Sequence, residues 1–110
     1  MADIELQVPC WYGQEASTRD LPIGKGRLFQ GIATGNSVCV AFYVEKRDAS
    51  KMVERNSQLE LVEIPTYRQL RKVLTELQAE GASEIVFIQG TKWRALEINK
   101  AIITAALADD

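Results

Sequence analysis

Histidine is missing from all 110 residues of this chain. It is the side chain whose unperturbed pKa lies nearest neutrality, and the commonest general base and metal ligand. An enzyme without it needs carboxylates, lysines or thiols converging at recognisable spacings, and no such convergence is visible. Cysteine is nearly as scarce, with only Cys10 and Cys39. Two distant thiols supply neither four ligands nor a close pair, so no metal, cofactor or disulfide is expected. They read as buried free thiols acting as small apolar residues.

Long apolar runs are lacking too. None approaches the roughly 20 residues of a membrane span, and no membrane partner is expected. The opening Met1-Ala2-Asp3-Ile4-Glu5-Leu6 carries neither the basic nor the apolar region of a signal peptide, so the expected location is cytoplasmic. A charge excess of one sign is also absent: 13 basic residues face 15 acidic ones, for a net charge of −2. General nucleic-acid binding, which needs a basic face, is therefore not expected. Repeats, linkers and low-complexity tracts do not occur. A hydrophobic fraction of 46% with 25% charged residues instead describes one ordinary globular domain spanning 1–110.

Hydrophobic spacing places the elements. Ile4, Leu6 and Val8 alternate with polar residues, a half-buried strand stopping near Pro9. From Trp11 to Gly26 no periodicity survives, which predicts a long irregular loop of the kind that often carries function. Leu28 to Ala33 predicts a second strand, and Gly35-Asn36 suits a tight hairpin into the apolar run Ser37 to Val44, a central strand. Asp48 is a candidate cap for a short helix from Ala49 to Arg55. Leu59 to Ile64 is β-like and ends at Pro65. Thr66 and Gln69 have capping-box spacing, and Leu70, Val73, Leu74 and Leu77 then form one helical stripe that ends at Gly81. Ile85 to Ile88 predicts another central strand. A turn over Gly90-Thr91-Lys92-Trp93 leads to a terminal helix from Leu96 to Ala108. The expected fold class is α/β, bordering on α+β: a mixed sheet of about five strands with two to three helices packed on it.

From about Val38 to Ile102 this pattern resembles the N-terminal domain of the SseB-like bacterial proteins. The resemblance lies in the strand into Phe42, the short helix Ala49 to Arg55 and the strand end Leu61-Val62-Glu63-Ile64-Pro65. It continues through the Leu70 helix closing on Gly81-Ala82 and through Ile85-Val86-Phe87-Ile88 with its glycine turn. It implies an α/β fold in a family not known for catalysis, and it brings no site residues with it.

Candidate site residues follow from local chemistry. Gly24-Lys25-Gly26-Arg27 offers glycines and cations for an anion, but lacks P-loop spacing and opens no helix. Its plainer reading is a turn into a strand. Cys10 beside Trp11 and Tyr12 is a conceivable reactive thiol, although no histidine can activate it. Glu76 and Glu80 lie four apart on the polar side of their helix and read as a solvated face. That helix carries Arg68, Arg71 and Lys72 early and its acids late, opposite to the order the helix dipole favours. Either solvent screening makes the order immaterial, or the basic cluster serves an acidic partner. The terminal helix is apolar nearly all round, so Ile103 and Leu107 either meet a neighbouring helix or face a partner or a second copy. Trp93, between Lys92 and Arg94, and the loop aromatics Trp11 and Tyr12 complete the candidate partner-binding set.

The function expected from these features is a non-catalytic protein-binding module of bacterial or phage type. One form of it is an immunity or inhibitor protein masking a partner by electrostatic complementarity. Its partner is another protein, or a second copy through the C-terminal helix. The alternatives are a small-ligand or nucleotide sensor using Lys25 and Arg27 in the loop 14–27, and an enzyme using Cys10.

Overall fold

The computed structural model describes residues 5–34 and 37–108. In chain order its elements are β1 (Cys10–Glu15), a 3-10 turn (Ala16–Thr18), β2 (Gly31–Thr34), β3 (Ser37–Tyr43), α1 (Lys46–Arg55) and β4 (Leu59–Ile64), followed by α2 (Tyr67–Ala79), β5 (Glu84–Gln89), β6 (Lys92–Glu97) and α3 (Ile98–Ala108). The strands form one mixed sheet in the order β4-β1-β3-β5-β6, with β2 paired to the first part of β3. Five strands thus lie side by side with three helices packed on them, as composition and periodicity predict. Among the described residues only β3 and β5 pair in parallel.

Two crossovers explain where the helices sit. The chain moves from β3 to β4 in one direction across the sheet, then from β4 to β5 in the other. Crossovers of one hand running in opposite directions leave their helices on opposite faces. On one face α1 packs through Ala49 and Met52 against Trp11, Ala41 and Tyr43. On the other, Leu70, Val73, Leu74 and Leu77 of α2, with Ile98, Ala101 and Ala105 of α3, cover Cys10, Tyr12, Val40, Phe42, Ile85 and Phe87. Tyr12, Phe42 and Phe87 stack tilted in series at centroid spacings of 5.6 and 5.7 Å, a geometry aromatic pairs favour.

Several expectations are corrected. Residues 5–9 form no strand; Leu6 and Val8 pack against the core without pairing, and Ile4 lies outside the described residues. The first strand instead starts at Cys10, inside the stretch expected to be loop. Its residues from Cys10 to Gln14 are all buried because both faces are covered, and that removes the alternation by which a strand is recognised. β2 is shorter than expected, and the hairpin residues Gly35 and Asn36 lie outside the described residues, although Thr34 pairs with Ser37. Helix α1 starts at Lys46, and Asp48 does not cap it; its carboxylate accepts the Gly90 N–H at 2.9 Å. The turn expected at Trp93 is really β6. All but one of its residues are exposed, so no buried face marks it in the sequence.

Candidate functional site

Helix α2 is held at both ends by its own sequence. Thr66 Oγ1 accepts the Gln69 N–H at 3.2 Å. At the other end the Ala82 N–H reaches the Leu77 carbonyl at 3.0 Å and the Gly81 N–H the Gln78 carbonyl at 3.1 Å. Gly81 makes this possible at φ +101°, in the left-handed region where a Cβ is unfavourable. With Leu70, Val73, Leu74 and Leu77 buried, the helix rotation is fixed. Arg68 and Lys72 then face solvent, and Arg71 is half-buried.

Helix α3 lies alongside α2 and runs the opposite way. The Gln78 amide near the end of α2 donates to Asn99 Oδ1 near the start of α3. Between them runs an open groove of about 500 Å³ whose lining includes Arg68, Arg71, Lys72 and Thr75 from α2 and Ile102 from α3. One turn apart on the exposed side of α3 stand Ile103, 58% exposed, and Leu107, 82% exposed. The basic cluster, separate from α3 in sequence, therefore shares its groove with Ile102 of that helix. Ile102 was not anticipated as part of it, because its apolar character alone reads as core.

The second half of α2 has a different task. Glu80 accepts the Arg27 N–H at 3.0 Å and the Gly26 N–H at 3.4 Å. Glu76 Oε2 lies 3.6 Å from Arg27 Nη1, and Arg27 Nε donates to the Leu21 carbonyl at 2.7 Å. The loop is closed at its base by the Glu15 N–H to Leu28 carbonyl bond at 2.8 Å and the Gln30 N–H to Gly13 carbonyl bond at 2.9 Å. The expectation of a solvated acidic face is thus corrected: Glu76 and Glu80 strap the loop to the helix. Arg27, a candidate ligand cation, is committed to groups of its own chain, whereas Lys25 stays exposed at the loop tip.

The remaining candidates separate. Trp11 and Tyr12 are 9% and 4% exposed; their expected place in an accessible loop is corrected to β1, where they are core. Trp93 is 69% exposed and pairs with Ile88 across β5 and β6. It shares a sheet row with Trp11 but is divided from it by Tyr43 and Ile88. That row lies on the α1 face, away from the groove.

Cys10 is fully buried, and burial pushes its thiol up to about 12. A thiol held neutral there is a poor nucleophile. Burial, reinforced by the nearby Glu76 carboxylate, likewise raises the Tyr12 phenol to about 12. Cys39 is buried and donates its S–H to Glu84 Oε2 at 3.4 Å. Among the described residues no group of three or more acidic or cysteine side chains is arranged to hold a metal, and no helix is long and apolar enough to cross a membrane. No protein-family model matches the chain, and no curated protein matches it.

Proposed function

We propose that this protein is a non-catalytic protein-binding module whose α2–α3 surface receives an acidic segment with an apolar anchor. The carrying observation is that Arg68, Arg71 and Lys72 line one groove with Ile102 and a single carboxylate, Glu76, while Ile103 and Leu107 on the helix that carries Ile102 are exposed. Apolar side chains supply the desolvated centre of such a contact, and the cations set its register and speed encounter. The resemblance to the SseB-like pattern, whose family is not known for catalysis, supports this reading. In its inhibitor or immunity form the module masks one cognate partner. Binding that is tight, salt-sensitive and restricted to a single protein distinguishes that form from a general adaptor.

The test is capture from host extract with the full chain, wild type against Arg68→Glu/Arg71→Glu and against Leu107→Asp. The same captured protein should be lost with both variants and weaken as salt rises. An unchanged set of captured proteins disposes of the proposal.

A further inference from the structure

Two neighbouring helix ends carry charges that each helix by itself disfavours. Helix α2 has no acid in its first turn; Arg68 stands there instead, with Arg71 and Lys72 one turn on. Helix α3 has no base in its last turn, and Asp109 and Asp110, outside the described residues, follow Ala108 in the sequence. Anions belong at a helix N-terminus and cations at a C-terminus, so both arrangements run against the macrodipole. Antiparallel packing sets the start of α2 beside the end of α3. The register follows from the contact between Gln78 and Asn99. Ten residues back along α2 from Gln78 is Arg68, and ten residues on from Asn99 is Asp109. Helices rise equally per residue, so each step covers about 15 Å. Thr75 and Ile102, each three residues from that contact, line the groove together in the same register. In sequence Asp109 comes seven places after Ile102, the spacing that returns to one side of a helix. It also stands only one peptide unit, about 3.8 Å, beyond the last residue of α3. The three cations share their groove with one carboxylate, Glu76, which also reaches Arg27 at 3.6 Å.

We infer that Asp109 and Asp110 cover the basic end of the groove in their own chain, pairing with Arg68, Arg71 and Lys72. Charge, register and tether together select this segment as the occupant. The same two aspartates on a second copy have the charge without the tether, which sets a high effective concentration within one chain. Exposed pairs of this kind are individually weak and screened by salt, so the contact is a removable cover. An acidic segment docking in the groove must displace the two aspartates before it reaches the cations. That consequence rests on the docking reading proposed above, whereas the pairing itself does not.

The test is carboxyl titration by NMR on the full chain, wild type against Arg68→Gln/Arg71→Gln/Lys72→Gln. In wild type Asp109 and Asp110 should titrate roughly half a unit lower than in the variant, and the gap should close in about 1 M salt. Arg68→Cys/Asp109→Cys should crosslink within one chain under mild oxidation. It should do so faster than Arg47→Cys/Asp109→Cys, whose first site is on α1 across the sheet. A fluorescent peptide of glutamates and leucines should bind Asp109→Asn/Asp110→Asn about 3- to 10-fold more tightly than wild type. Coincident titrations, a crosslink formed chiefly between copies, or equal peptide affinity in the two proteins would each overturn the inference. A peptide that binds neither protein, with the titration gap present, would uphold the pairing and count against the docking reading alone.

Discussion

The two halves of α2 share a core stripe and differ on their outer faces. The first half carries cations that line the α2–α3 groove, while the second carries carboxylates that hold a loop, of which Glu76 also lines the groove. The charge order looks wrong for an isolated helix, where acids belong near the N-terminus. The late acids make sense once they are matched to the loop they hold. Glu80 receives two consecutive backbone N–H groups, and such charge-assisted bonds outweigh a dipole term of about 0.3–1 kcal/mol. An apparent violation of a local rule is here the trace of a tertiary contact.

The largest expected effect tests whether the halves differ only outside. Leu70→Ala and Leu77→Ala remove fully buried side chains, one in each half. Each should lower unfolding free energy by about 2–5 kcal/mol in denaturant titration. A clear loss at one position alone would mean that the two halves also differ in how tightly they are packed.

Next comes alkaline stability. A raised pKa means that the folded chain holds its proton more tightly than the unfolded chain. Its stabilisation is therefore complete below the unfolded values of 9.0 for Cys10 and 10.0 for Tyr12, and disappears as pH rises toward about 12. The loss should be on the order of 2 kcal/mol. Cys10→Ala should reduce it, and so should Glu76→Gln through Tyr12. A profile flat from pH 9 to 12 contradicts both.

The smallest effects divide the halves most sharply. Glu80→Ala should cost about 0.5–1.5 kcal/mol by removing the acceptor of the Gly26 and Arg27 N–H groups, and should speed amide exchange at those two positions. Arg68→Ala and Lys72→Ala should change stability by no more than about 0.5 kcal/mol. Comparable losses from acidic and basic substitutions would erase the distinction.

Much of this was legible beforehand. The extent of β4, the Thr66 cap, the α2 stripe and its end at Gly81 all rest on contacts within a few residues, so local pattern suffices. The basic cluster and the exposed stripe of Ile103 and Leu107 were also readable as features. The place of Ile102 beside the basic cluster was not, because antiparallel packing of α2 on α3 joins residues some thirty positions apart. β1 was hidden because cover on both faces erases its alternation. β6 was hidden by the reverse, since nearly nothing on it is buried.

Composition and local spacing by themselves determined the element types over most of the chain, the buried stripe of α2 and the lack of a histidine-based site, since these follow from periodicity and residue chemistry alone. Only the tertiary structure decided that Trp11 and Tyr12 are core, that Arg27 is committed to Glu76, and that Trp93 ends an open row at the sheet edge. Each of those depends on which strand lies beside which, and strand neighbours are chosen by long-range packing that no short window of sequence contains.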